Sequence, residues 1–183
     1  MVYVIVGASA SGINAAKTLR ENDKNIEIIL VSKDEYVYSR CILHHFLDGR
    51  REIEALDFTP NNFFEMYKIK WIKGVEVIGI DIKEKKLKLL NYEDLSYDKV
   101  LLAAGSSSFL PPIENLRTAN NVIGLRNLDD AIKIKEEANK VKNIAILGAG
   151  LVGVDALAGL LDYNVNITLI EIFIAGYHIY SKS

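Results

Sequence analysis

One cysteine, Cys41, in 183 residues leaves neither an internal disulfide nor a cysteine-rich zinc site to build on. Charge of one sign is equally scarce: the formal net charge is −2 at neutral pH, and so near a balance gives no reason to propose nucleic acid or an anionic membrane as partner. No apolar run approaches the roughly 20 residues that a membrane helix requires. Met1 leads straight into an apolar strand, with no basic segment followed by an apolar core, so no signal peptide is expected. There is no low-complexity stretch. What remains is an ordinary globular composition, 50% hydrophobic and 25% charged, long enough for one sizeable core or two small ones. A cytoplasmic protein is expected.

Against this background stand two glycine-rich turns, each placed where a strand hands over to a helix. The first is Val4-Ile5-Val6-Gly7-Ala8-Ser9-Ala10-Ser11-Gly12 and the second is Ile144-Ala145-Ile146-Leu147-Gly148-Ala149-Gly150-Leu151-Val152-Gly153. In such a turn the first glycine permits the tight bend and the last lets the helix pack close to the sheet. The open N–H groups of the helix's first turn then face a pyrophosphate. The middle position is Gly150 in the second turn but Ser9 in the first, a departure from the usual glycine. The alternative for each is an ordinary strand-to-helix turn. Two such turns in one short chain suggest two dinucleotides, a flavin and a nicotinamide.

A ribose-binding acid is expected at the tip of the strand that follows each turn, about 20 residues on. After the second turn, Ile167-Thr168-Leu169-Ile170 is closed by Glu171, whose carboxylate would accept both ribose hydroxyls and repel a 2′-phosphate, favouring NADH. After the first, Ile26 to Val31 ends in Ser32-Lys33-Asp34-Glu35 instead; Ser32 is placed to hydrogen-bond the ribose, with Asp34 in reach.

Between the turns, a short helix is expected from about Cys41 to Leu47, stopping at Asp48-Gly49. Another is expected over Asn61 to Met66, with Thr59 as N-cap before Pro60. Period-two patterning from Lys70 predicts short antiparallel strands at 71–74, 75–81 and 86–90. The continuous apolar run from Lys99 to Gly105 predicts a strand buried on both faces. Pro111-Pro112 punctuates the chain, and Asp129 to Asn139 reads as a polar amphipathic helix. The fold class is therefore α/β, with two Rossmann-like βαβ units and a β-meander.

Taken in order, the first glycine turn, the Tyr38-Ser39-Arg40-Cys41-Ile42-Leu43 segment, the meander ending in Leu102-Ala103-Ala104-Gly105-Ser106, and the second turn with Glu171 resemble the pyridine nucleotide–disulfide reductase superfamily of flavoproteins. The likeness leans toward NADH-dependent rubredoxin and ferredoxin reductases, the flavin portion of nitrite reductases, and NADH oxidases, and runs from Met1 to about Glu171. It implies an FAD-binding domain over residues 1–112 and the start of an NAD(P)H-binding domain over 113–183. FAD would be held by Gly7, Ser9, Ala10, Ser11 and Gly12 at the pyrophosphate, with Ser32 and Lys33 near the adenosine ribose and Val77 against adenine through its backbone. Ala104 and Gly105 would pass close to the cofactor. Arg40 would meet the flavin or its phosphates, with a surface salt bridge as the alternative, and His45 lies where several relatives carry lysine. NAD would be held by Gly148, Gly150, Leu151, Val152, Gly153 and Glu171. His44 and His45 also read as plain polar surface, with no further ligands at coordinating spacing.

Cys41 divides the likeness. Its neighbours Tyr38 and Arg40 resemble the rubredoxin- and ferredoxin-type reductases, whereas a lone cysteine at such a place resembles the NADH oxidases, peroxidases and coenzyme A–disulfide reductases. A cysteine at a helix start beside Arg40 would have its thiolate favoured; a free cysteine is also commonly an inert hydrophobe. The resemblance implies electron transfer from NADH through flavin to a rubredoxin- or ferredoxin-like protein, to nitrite reductase centres, to dioxygen, or to a disulfide through Cys41. The segment Ile172 to Ser183 does not resemble the family's continuation, so the second domain is expected to be incomplete. On that view the chain is a truncated nucleotide-binding fragment without turnover, or one whose open sheet is covered by an oligomer.

Overall fold

The computed structural model describes residues 1–171; the atypical segment 172–183 lies outside them. In chain order the elements are β1 (Val2–Val6), α1 (Ala10–Asn22), β2 (Glu27–Ser32), α2 (Leu43–Leu47), α3 (Phe63–Met66), β3 (Ile69–Lys73), β4 (Val77–Asp81), β5 (Lys86–Leu89), β6 (Leu95–Ser96), β7 (Lys99–Leu102), α4 (Leu128–Ala138), β8 (Asn143–Leu147), α5 (Leu151–Leu160) and β9 (Asn166–Ile170). They form two compact units: residues 1–39 with 57–106, and residues 40–56 with the chain from 107 onward.

The first unit is built on a parallel sheet of order β3-β2-β1-β7. Side chains alternate across a strand, and the two faces of this sheet are both apolar. Ile5, Ile28 and Leu30 face a layer containing Ile13, Ala16 and Phe63 from α1 and α3. Val4, Val6, Ile29, Val31 and Ile72 face Leu87 and Leu89 of a small antiparallel sheet, β4-β5-β6, and Tyr97 just beyond it. Each large side chain so buried contributes about 1.5–3 kcal/mol. Arg20, near the end of α1, ties the layers together: its guanidinium donates to the carbonyls of Tyr67 at 2.8 Å, Ile26 at 2.8 Å, Lys24 at 3.0 Å and Lys68 at 3.1 Å.

Three expectations are corrected here. The strand containing Trp71 is not part of the antiparallel meander: β3 pairs in parallel with β2, Leu30 opposite Trp71. Period-two alternation alone is blind to direction, and the crossover through α3 decides it. The third meander strand is β6 instead. Second, the Lys99 run is not buried on both faces; β7 is the sheet's edge, with Leu101 43% and Leu102 63% exposed. Third, Thr59 does not cap α3. Its N–H and hydroxyl both donate to Asp57 Oδ1 at 2.7 Å, a competing local bond that leaves Asn62 at the N-cap position.

In the second unit β8 and β9 pair in parallel. Ile144, Ile146, Ile167, Leu157, Leu160, Ile134 and Ala138 make its core, from the two strands, α5 and α4. A capping box opens α4, with Asn127 Oδ1 accepting from the Asp130 N–H at 2.9 Å and Asp130 Oδ2 accepting from the Asn127 N–H at 3.1 Å. The short helix α2 comes as expected, stopping at Gly49, whose φ is +75°. It packs on α4 and α5, with Tyr163 Oη donating to the Leu47 carbonyl at 2.7 Å and Lys135 Nζ to the Phe46 carbonyl at 3.1 Å.

Candidate functional site: two dinucleotide cradles

In the first turn, Gly7 leaves β1 at φ +109°, its N–H donating to the Val31 carbonyl at 2.8 Å. A Cβ at Gly7 would overlap the Ala103 carbonyl oxygen, and one at Gly12 would overlap the Gly7 carbonyl oxygen. Both positions are therefore closed to any side chain. Ser9 sits at the N-cap of α1 in extended backbone, φ −95° and ψ −174°, with its hydroxyl making no cap bond. Extended backbone suits any residue, which explains why serine stands here without strain. The first helical amides, from Ala10, Ser11 and Gly12, have no carbonyl one turn back and form an anion-facing end. Exiting β7 runs close by: the Ala103 N–H donates to the Val6 carbonyl at 2.8 Å, and the exposed Ala104 and Gly105 follow, Gly105 at φ +73°.

The second turn repeats this geometry. Gly148 has φ +103° and donates to the Ile170 carbonyl at 2.7 Å, and a Cβ at Gly153 would overlap the Gly148 carbonyl oxygen. Gly150, the N-cap of α5 at φ −69° and ψ 178°, has open space where a Cβ would be. Leu151 and Val152 are exposed at the helix start. Glu171 Oε2 accepts from the Ala149 N–H at 2.6 Å, so the acid at the tip of β9 holds the glycine turn directly.

The strand tip of the first unit differs. Ser32 is buried, its hydroxyl donating to the Asp34 carbonyl at 2.7 Å and accepting from Trp71 Nε1 at 2.8 Å. Lys33 is exposed and lies 3.7 Å from Glu76, and Val77 opens β4 opposite Leu89. Trp71 was not legible as a site residue; its place on a strand paired with β2 is what brings it to Ser32.

Arg40, Cys41 and His45 belong to the second unit. Arg40 and Cys41 lie in a 3-10 turn, Arg40–Ile42, just before α2, and the Cys41 thiol is exposed. His45 Nδ1 lies 3.5 Å from Asp48 Oδ2, a buried carboxylate that Arg50 Nε also approaches at 3.1 Å. His44 Nδ1 lies 3.9 Å from Asp155. Among the described residues no cluster of histidine, cysteine or acidic side chains is arranged to hold a metal, and no helix is long and apolar enough to cross a membrane.

These two cradles, in each of which the last glycine has no room for a Cβ beside the carbonyl of the first, fit dinucleotides, and comparison with known proteins agrees. The family model for pyridine nucleotide-disulphide oxidoreductases matches residues 1–174. The chain is 29% identical to an NADH oxidase of Methanocaldococcus jannaschii, covering 93% of the chain and 40% of that protein. It is 31% identical to a rubredoxin-NAD(+) reductase of Alcanivorax borkumensis, covering 92% and 44%, and 32% identical to a coenzyme A disulfide reductase of Staphylococcus aureus, covering 92% and 40%. Among solved structures, an NAD-dependent persulfide reductase from A. fulgidus superposes with a TM-score of 0.83 at 27% identity, covering 95% of this chain and 34% of that one. NADH:rubredoxin oxidoreductase from Clostridium acetobutylicum gives 0.79 at 26%, covering 94% and 45%. The chain thus spans about two fifths of the length of these curated relatives. With both cradles and nearly its whole length matched in order, the chain belongs to the pyridine nucleotide-disulphide oxidoreductase family.

Proposed function

We propose that this chain carries the FAD-binding and NADH-binding elements of an NADH-dependent flavoprotein oxidoreductase. The observation that carries this reading is the pair of matching turns, in which a first glycine at positive φ, Gly7 at +109° or Gly148 at +103°, is followed by a second, Gly12 or Gly153, whose Cβ would overlap the carbonyl oxygen of the first. Residues 1–112 are assigned to FAD and 113–183 to NADH. Gly7, Ser9, Ala10, Ser11 and Gly12 present helix amides to the FAD pyrophosphate; Ser32, Lys33 and Val77 lie at its adenosine end. Ala104 and Gly105 border it where β7 ends. Arg40 and His45 are assigned to FAD as the family resemblance implies. Gly148, Gly150, Leu151, Val152 and Gly153 hold the NADH pyrophosphate, and Glu171, anchored on the Ala149 N–H, takes the ribose and disfavours a 2′-phosphate. Bound together, such cofactors supply hydride transfer from NADH to the isoalloxazine and onward passage of electrons to an acceptor.

The acceptor is proposed to be a small iron protein of the rubredoxin or ferredoxin class, nitrite reductase centres or dioxygen. A second reading rests on the exposed thiol of Cys41 beside Arg40, which suits a disulfide acceptor such as that of the coenzyme A disulfide reductases. A chain that binds nucleotides without turnover is the remaining alternative. The proposed location is the cytoplasm. A further partner is a second copy of the chain, covering the side of the β8–β9 sheet where Leu147 and Ile170 are exposed.

The test is the visible spectrum of the purified chain before and after anaerobic addition of NADH. A flavin band that bleaches with NADH is the expected result. A band indifferent to NADH would favour a binding chain without turnover, and a colourless chain that refuses added FAD would sink the flavin assignment. Cys41→Ser is expected to leave NADH-driven reduction of an iron-protein acceptor intact; collapse of that activity would move the reading to thiol chemistry.

A further inference from the structure

Where the second unit has a carboxylate at its strand tip, the first unit has Ser32, and the hydroxyl of Ser32 is already engaged. It is 3% exposed. Its only proton goes to the Asp34 carbonyl, and one of its lone pairs takes the Trp71 Nε1–H. Trp71 is held in turn, its indole stacked on Phe64 at 4.4 Å and 14°. The same segment is stitched to the β3–β4 connection by backbone bonds, Val75 N–H to the Ser32 carbonyl at 2.9 Å and Gly74 N–H to the Asp34 carbonyl at 3.4 Å. Lys33 and Glu76 add a charge pair 3.7 Å apart across the same seam. Two chain segments, 32–35 and 73–77, are thereby held as one.

We infer that Trp71 is a positioning residue for the adenosine end of the first cradle: acting through Ser32, it sets the backbone of residues 32–34 and the connection leading to Val77. In this inference, which rests on the FAD assignment above, the Ser32 hydroxyl supports the strand tip and is not a ribose ligand. A serine placed there to bind ribose would keep its proton for the ligand, and burial with two internal partners removes that option. Deleting the indole N–H leaves the hydroxyl short of a donor and loosens the tip. Nothing at the pyrophosphate is touched, so the effect belongs to the adenosine half alone.

The experiment compares FAD with FMN, which lacks the adenosine half, on the 183-residue chain and on Ser32→Ala, Trp71→Phe and the double variant. Phenylalanine keeps a ring against Phe64 and removes only the N–H. Each single variant is expected to weaken FAD by roughly threefold to tenfold, the worth of about one net hydrogen bond, with FMN affinity unchanged. The double variant should be no weaker than the worse single one, because both substitutions break the same chain of bonds. Loss in Ser32→Ala with none in Trp71→Phe would overturn the inference and make Ser32 a direct ligand. Equal loss of FAD and FMN would overturn it as well. Failure of the unsubstituted chain to prefer FAD would instead overturn the FAD assignment beneath it.

A readout without ligand keeps the inference open to refutation in that case. Amide exchange at Gly74 and Val75 is expected to quicken in Trp71→Phe, since their acceptors are the carbonyls of the tip. Unchanged exchange at both would sink the positioning role.

Discussion

A methyl group added at Gly153 meets the carbonyl oxygen of Gly148, while one added at Gly150 meets nothing within 4 Å. The two glycines therefore serve different ends. Gly153→Ala forces the start of α5 away from its strand and is expected to lose about 1–3 kcal/mol of stability, the usual range for overpacking. Gly150→Ala has an ordinary φ and open space, so urea unfolding should show a loss of about 1 kcal/mol or less, the scale of an N-cap change. On the proposed NADH assignment both should lose NADH affinity, because a closely approaching pyrophosphate would take up the open space at Gly150. Retained NADH binding in Gly150→Ala would remove the pyrophosphate from this turn. Trp71 is the chain's single tryptophan, so its emission is an unambiguous reporter on the first unit. FAD is expected to quench it on titration.

Helix α1 is anchored by one polar side chain as well as by its apolar face. Arg20 donates to carbonyls at the end of α1, just before β2 and on the approach to β3. Replacing Arg20 with methionine keeps the aliphatic stem and strands several acceptors, with an expected loss of about 2–4 kcal/mol at roughly 1 kcal/mol per net bond. Chemical denaturation would read it, and a loss below about 1 kcal/mol would show water substituting freely. In the second unit, burial raises the Tyr163 hydroxyl above its usual 10.0, and the nearby Asp48 charge adds to the rise. The folded state thus favours neutral Tyr163, donating to Leu47. That contribution is present below the unfolded pKa and fades as pH climbs through the raised one. Wild type should exceed Tyr163→Phe in stability near neutrality, and the margin should shrink above about pH 10; a margin that grows with pH would contradict this.

Much at this scale was legible from local pattern. Both glycine turns, α2, α4 and the strands beside them declare themselves in runs of a few residues. Arg20 and Trp71 did not, because their partners arrive from 39 to 48 positions away. Strand direction at β3 and exposure at β7 escaped for a related reason: both depend on which strand lies alongside, and apolar alternation carries no record of that.

Over the whole molecule, the two units differ in how well their strands are covered. In the first, β1 and β2 lie inside a four-stranded sheet with apolar layers on both faces. In the second, the described sheet has two strands, with Leu147 and Ile170 exposed on one side. Parallel strands are ordinarily buried on both faces, so β8 and β9 should open more readily. Hydrogen exchange of the ligand-free chain is therefore expected to be slowest in β1 and β2 and distinctly faster in β8 and β9. Ligands sharpen the contrast, since a compound that binds only the folded form protects whatever unit must be folded to bind it. At a hundredfold excess over its Kd the gain is about 2.7 kcal/mol, or roughly a hundredfold in exchange for amides that open with the unit. NADH should slow β8 and β9 by that order, and FAD should slow β1 and β2. If NADH instead protected β1 and β2 and left β8 and β9 unchanged, the two cradles would have to exchange their ligands.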